Sequence, residues 1–307
     1  MTIVVAGAYG LAGSALTRQL EKLNRLVIPL GRKNLDFTDR KKTFSTIREL
    51  APSTLFISAA KVGGIKANDS SPVDFLSVNI QIQTNLLDAA HYARVNRVIF
   101  LASSCIYPKF GKQPLVEDDL MSGKLEPTNS AYAIATIAGI ELVKSYRKQY
   151  GYDWISLIPS NLYGPGDNFS FEQGHVLSAL IAKFWKAKRL EEKEVELWGD
   201  GSPKREFLYV DDFASAAILC GDSYSSNSPI NIGTGEDISI KDLAGIVANI
   251  IGYEGNISWS NDELNGTPRK LLNISKISSL GWNPSTSLKE GISKTVDWYS
   301  KMVRNDY

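Results

Sequence analysis

The chain has 307 residues, enough for about two domains or one enlarged one, and long enough to bury a sizeable core without staples. Its 34 basic and 33 acidic residues leave a formal charge of +1, which removes any electrostatic case for nucleic acid or an anionic membrane surface as partner. Two cysteines, Cys105 and Cys220, and two histidines, His91 and His175, are too few for a disulfide framework or a Cys/His zinc cluster. No metal is therefore expected, and any imidazole chemistry falls to one of those two histidines. Met1–Ala6 carries no targeting signal, and no stretch approaches the roughly 18 apolar residues of a membrane span. The expected setting is a reducing cytoplasm.

In chain order, Thr2–Ala6 reads as a buried strand, followed by a glycine turn and a helix from Leu11 to Leu23 with Ala12, Ala15, Leu16, Leu20 and Leu23 at helical spacing. Leu26–Leu30 is a second strand, and Asp36 or Thr38 is placed to cap a helix running to about Leu50. Leu55–Ala60 is a strand, Pro72–Val95 a long helix, Val98–Ser103 a strand, Ala131–Tyr150 a helix and Trp154–Ser160 a strand. Apolar strands alternating with helices predict a doubly wound parallel α/β sheet of Rossmann type. After Tyr163-Gly164-Pro165-Gly166 the pattern weakens to a helix at Val176–Lys188, a solvated charged run at Lys188–Glu194, a strand at Glu206–Val210 and a helix beginning at Asp212–Cys220. The remainder, with Asn231-Ile232-Gly233-Thr234-Gly235 and the turn Asn265-Gly266-Thr267-Pro268, fits a smaller, looser α+β lobe. The expected division is a nucleotide-binding domain over 1–165, with a return segment near 206–235, and a substrate lobe over 166–205 and 236–307.

Gly7, Gly10 and Gly13 stand between the first strand and its helix. Glycine there permits a tight turn, close approach of a pyrophosphate and close helix–strand contact, while the helix N-terminus presents unpaired N–H groups. Such sites for NAD place an acidic residue near the end of the second strand; this chain instead reads Gly31-Arg32-Lys33-Asn34. Arg32 and Lys33 suit the 2′-phosphate of NADP, so NADP(H) is the expected cofactor.

Ser103 lies at the end of a strand and Tyr132 at the start of a helix, so both hydroxyls are placed to reach one substrate carbonyl in the crevice. With the glycine turn, this pair resembles the extended branch of the short-chain dehydrogenase/reductase superfamily. The resemblance sharpens at Ala59-Ala60-Lys61-Val62-Gly63-Gly64-Ile65, Ser103-Ser104-Cys105-Ile106-Tyr107-Pro108 and Leu125-Glu126-Pro127-Thr128-Asn129. It continues at Pro159-Ser160-Asn161-Leu162-Tyr163-Gly164-Pro165, Lys204-Arg205-Glu206-Phe207-Leu208 and Gly266-Thr267-Pro268-Arg269-Lys270. This set is similar to the GDP-L-fucose synthase family, whose members epimerise C3 and C5 of a GDP-4-keto-6-deoxy sugar and reduce C4 with NADPH. The resemblance implies that Ser103 and Tyr132 serve reduction and that Cys105 and His175 are the epimerase acid/base pair. It adds Ala59 to the cofactor contacts, and Ser104, Asn161, Lys183, Trp198, Arg205 and Lys270 to the substrate contacts. It also implies a homodimer through Pro72–Val95 and Ala131–Tyr150. The chemistry is consistent: cysteine and histidine side chains ordinarily titrate near 8.5 and 6.5, about right for moving a proton α to a ketone. His91 is left as structural.

Two positions depart from the family. Thr136 stands one helical turn after Tyr132, where the family has a lysine that binds the nicotinamide ribose and favours tyrosinate. Tyr9 stands where better-known members have an arginine on the 2′-phosphate, which shifts that load to Arg32 and Lys33. A slowed enzyme, a cation recruited from Lys61 or Lys109, a residue introduced to trap a complex, and a binding protein without turnover all remain open. The expected function is a GDP-4-keto-6-deoxy-sugar 3,5-epimerase/4-reductase. Its rivals are a C4-reductase of another GDP-4-keto sugar, such as a heptose, and a non-catalytic nucleotide-sugar-binding protein.

Overall fold

The computed structural model describes residues 2–171, 174–260 and 266–305; Asn265 of the predicted turn lies outside them. The first strand β1 (Thr2–Ala6) leads through the glycine turn into α1 (Leu11–Lys22), then β2 (Leu26–Leu30), α2 (Arg40–Leu50) and β3 (Thr54–Ile57). A short α3 (Ile65–Ser70) precedes α4 (Pro72–Tyr92), β4 (Arg97–Leu101), α5 (Ser130–Tyr150) and β5 (Ile155–Pro159). The chain continues through β6 (Asn161–Tyr163), α6 (Val176–Arg189), β7 (Glu194–Trp198), β8 (Lys204–Arg205), β9 (Phe207–Tyr209), α7 (Val210–Ser223) and β10 (Ile230–Ile232). It finishes with β11 (Ile238–Ser239), α8 (Ile240–Ile251), β12 (Asn256–Ser260), β13 (Arg269–Lys270), α9 (Ser275–Ser279) and α10 (Leu288–Asn305).

Six parallel strands form the main sheet in the order β10-β5-β4-β3-β1-β2. Strand alternation sends Val4, Ala6, Leu55 and Ile57 into a core with α2, α4 and α5, while Ile3, Val5 and Phe56 join α1 and α7 on the other face. Burial on both faces explains why these strands read as unbroken apolar runs. After β2 the chain returns to the other side of β1 to form β3. That reversal opens a crevice beyond the C-terminal ends of β1 and β3, the place where doubly wound sheets take their ligands.

Two local readings are corrected. The α2 helix is capped by Asp39, whose carboxylate accepts from Lys42 N at 3.1 Å, while Asp36 closes a tight turn on Thr38. Replacing Asp39 by alanine is expected to cost about 1 kcal/mol in urea denaturation, and the same change at Asp36 less. Ile230–Ile232 is not part of a looser lobe but the edge strand of the main sheet, with Asn231 completely buried. Asn231 is satisfied there by Tyr107 Oη at 2.6 Å, Glu117 Oε1 at 3.0 Å and the Leu115 carbonyl at 3.0 Å. Three residues are too few to register as a periodic element.

The return is fastened by Arg97, whose guanidinium donates to the carbonyls of Cys220 and Gly221 at the end of α7, at 2.8 and 2.9 Å. The smaller lobe has its own core of α6, α8, β7 and α10, including Phe184, Leu243, Val247 and Ile292. The expected strand over Glu206–Val210 is split into β8 and β9, which pair with different partners. Between them Glu206 is fully buried, its carboxylate accepting from the backbone N–H groups of Gly235 and Leu272, each at 2.8 Å. This carboxylate joins the strand bearing Arg205 to the segment bearing Lys270. No helix among the described residues is long and apolar enough to cross a membrane.

Candidate functional site

The glycine turn closes directly over the crevice. Gly7 has φ +91° and passes so near the chain after β3 that a Cβ would lie 2.6 Å from Ala59 N. A Cβ on Gly13 would overlap the Gly7 carbonyl, so α1 packs against the turn with no side chain between. Gly10 takes the N-cap position of α1 without any side-chain cap, leaving the first N–H groups of the helix for a ligand. This is a fit for a dinucleotide pyrophosphate. Arg32 and Lys33 lie exposed after β2, at the far end from the reacting groups.

A cleft of about 660 Å³ runs from Gly10 and Gly13 into the smaller lobe. Ser103, Ser104, Cys105, Tyr132, Asn161, His175, Lys183, Trp198, Arg205 and Lys270 all line it. Ser103 caps the short turn Ser104–Ile106, its Oγ accepting from Cys105 N at 3.3 Å, so one bend after β4 positions both Ser103 and Cys105. Thr136 is buried next to Tyr132, its Oγ1 donating to the Tyr132 carbonyl at 3.0 Å. Burial pushes the Tyr132 hydroxyl well above its usual range, negative charge at Cys105 acts in the same direction, and hydrogen bonding with Thr136 and Ser103 opposes them. Lys61 is paired with Asp74, and Lys109 lies 3.6 Å from Glu126.

Lys270 Nζ lies 3.6 Å from Cys105 Sγ, bringing a cation from β13 to the sulfur. Arg205 is held below its usual value by burial, an effect opposed by Cys105 and Glu126. His175 occupies the N-cap position of α6. Asp167 faces it: burial raises the Asp167 carboxyl, and the charge of His175 together with the hydroxyl of Ser178 opposes the rise. Lys66 and Lys183 both approach the Trp198 ring, with Nζ 3.5 and 4.6 Å from its centroid. His91 lies elsewhere, its Nδ1 3.0 Å from Tyr152 Oη within a nest of Tyr146, Tyr150 and Tyr152.

Sequence reasoning missed Asp167, Lys66, Asn68 and Asn129, all of which line the cleft. Asn68 and Asn129 each bury a side-chain carbonyl oxygen with no donor among the described residues, two acceptors suited to a ligand's hydroxyl or amine protons. Asp167 was legible only as the residue after Gly164-Pro165-Gly166, Asn129 only as the last letter of Leu125-Glu126-Pro127-Thr128-Asn129, and nothing in the sequence marked Asn68.

Residues 3–233 match the NAD dependent epimerase/dehydratase family. The chain is 48% identical to GDP-L-fucose synthase 1 of Arabidopsis thaliana over 305 residues, covering 99% of this chain and 94% of that one. Its fold is similar to that of a GDP-6-OMe-4-keto-L-xylo-heptose reductase from C. jejuni, with TM-score 0.93, 32% identity and 98% of each chain covered. It is also similar to a GDP-L-fucose synthetase from Naegleria fowleri bound to NADP, with TM-score 0.90, 27% identity, and 99% of this chain and 95% of that one covered. The glycine turn, the basic end of β2 and the Ser103–Tyr132 cleft thus belong to an NADP-dependent oxidoreductase, and the chain is a member of the NAD dependent epimerase/dehydratase family, on its GDP-L-fucose synthase branch.

Proposed function

We propose that the protein epimerises C3 and C5 of a GDP-linked 4-keto-6-deoxy sugar and reduces C4. The observation that carries this reading is one cleft holding Cys105, with the Lys270 ammonium 3.6 Å from its sulfur, His175 beside Asp167, and the Ser103–Tyr132 pair. When bound, NADPH supplies the hydride to C4. Cys105 and His175 remove and return protons at the carbons next to the ketone. Ser103 and Tyr132 donate hydrogen bonds to the C4 oxygen, which stabilises the enolate during epimerisation, and Tyr132 gives that oxygen its proton during reduction. Arg205 and Lys183 hold the diphosphate and Trp198 the base or sugar, with Ser104 and Asn161 completing the contacts.

In this reading, residues 1–165 and the return over 206–235 bind the cofactor, and 166–205 with 236–307 hold the sugar nucleotide. A working Cys105 needs a free thiol, which suits the cytoplasm. A homodimer is supported by Val73 and Ile80 on α4 and Ile134 on α5, apolar side chains exposed on two helices that pack on each other. Sedimentation as a monomer at micromolar concentration would overturn that part.

The test is mass spectrometry of products formed from a panel of GDP-4-keto sugars with NADPH in deuterated water. Deuterium at C3 and C5 with hydride at C4 is expected. Hydride at C4 alone would support the second reading, a C4-reductase, which the fold similarity to a heptose reductase favours. Binding of NADPH and GDP-sugar without oxidation would instead identify a non-catalytic binding protein.

A further inference from the structure

The arginine that Tyr9 replaces need not leave a gap. Tyr9 projects from the glycine turn over the residues that follow β2 and is 44% exposed. Its ring packs closely on Gly31, where a Cβ would come within 2.8 Å of Cδ2, so a side chain at 31 would displace it. Beneath the ring, Asn34 fixes the turn: its Oδ1 accepts from Gly31 N at 2.8 Å and its Nδ2 donates to the Pro29 carbonyl at 3.0 Å. Those two backbone partners determine which end of the amide is which, because a flip would set oxygen against oxygen. The second Nδ2 proton goes to Tyr9 Oη at 3.2 Å. Tyr9 therefore accepts from Asn34, and its own hydroxyl proton has no acceptor among the described residues. Lys33 Nζ sits 4.9 Å from the centroid of the same ring, so a cation is gathered beside that free donor.

This cluster lies at the end of β2, where a doubly wound fold receives the adenosine ribose. The geometry points to Tyr9 as a residue that selects NADP over NAD: its hydroxyl donates to the 2′-phosphate while its ring seats Lys33 against the same group. Arg32 supplies the second cation. A neutral donor and a positioned ammonium thus take over the task of the absent guanidinium.

The test measures dissociation constants of NADPH and NADH by nicotinamide fluorescence, so turnover is not involved. Tyr9→Phe keeps the ring and the Lys33 contact but removes the donor. It is expected to weaken NADPH about tenfold and leave NADH unchanged, since a hydrogen bond to a charged phosphate is lost, while the exposed Asn34 Nδ2 proton that Tyr9 accepted turns to water and keeps its bond to Pro29. Tyr9→Leu removes the seat as well and is expected to weaken NADPH further. Calorimetric titration with 2′,5′-ADP is expected to show the same order. An unchanged NADPH/NADH ratio in Tyr9→Phe, or parallel weakening of both nucleotides, would overturn the inference. Tyr9 is on the surface, and unchanged melting temperatures would establish that both variants remain folded.

Discussion

Replacing Cys105 by alanine is expected to slow deuterium entry at C3 and C5 by about 10²- to 10⁴-fold, the usual worth of a positioned acid or base. Hydride transfer to a 4-keto sugar already carrying the epimerised configuration is expected to change by less than about threefold. The two readouts separate because the proposed groups are different. Cys105 stands on the bend after β4 with Lys270 Nζ 3.6 Å from its sulfur, whereas reduction is assigned to Tyr132 on α5. Epimerisation also needs a partner on the opposite face of the sugar, and His175 at the head of α6 is the histidine that lines the cleft, since His91 is enclosed by tyrosines away from it. The alanine change removes one small side chain from a half-buried position, so the fold is expected to survive it. Exchange at the wild-type rate in Cys105→Ala would sink the acid/base assignment, while equal loss of exchange and hydride transfer would point to a damaged cleft.

The sheet was legible because its strands are buried on both faces and its turn needs glycine for steric reasons. Val4 and Val5 point to opposite cores, yet both are apolar, and a Cβ at Gly7 has no room beside Ala59. What stayed hidden depends on contacts distant in sequence. β10 is three residues long and is defined by pairing with β5 and by Asn231 meeting Tyr107 and Glu117. Glu206 appeared only as one letter of a motif, although its burial organises both Arg205 and Lys270. The carboxylate of Asp167 beside His175 and the unpaired oxygens of Asn68 and Asn129 have no periodicity to reveal them. Tyr9 misled for a related reason: read alone it is a lost cation, and only its place between Asn34 and Lys33 shows what it offers.

Thr136→Lys is expected to raise the rate of C4 reduction roughly 10-fold, and by no more than about 100-fold. Tyr132 is held above its ordinary range by burial and then by Cys105, and hydrogen bonding with Thr136 and Ser103 opposes this. An ammonium within reach of such a phenol lowers its pKa by about 1–3 units, each corresponding to about 1.4 kcal/mol. Only part of that change appears in the barrier, because the proton is partly transferred in the transition state. The sign is fixed by direction. Reduction requires Tyr132 to give a proton to the C4 oxygen, so a lower pKa strengthens the donor, while the alkaline limit of the reduction profile moves to lower pH. Position 136 is buried, so the longer chain must also be accommodated by the packing around it. Thr136→Met therefore supplies the comparison, with similar reach and no charge. Single-turnover oxidation of NADPH should rise with lysine and not with methionine, and deuterium entry through Cys105 and His175 should rise less, because there Tyr132 only hydrogen-bonds the enolate oxygen. Equal gains from both would assign the effect to packing. No gain from a folded lysine variant would mean that Tyr132 operates without an electrostatic field, or that this cleft binds its sugar nucleotide without reducing it.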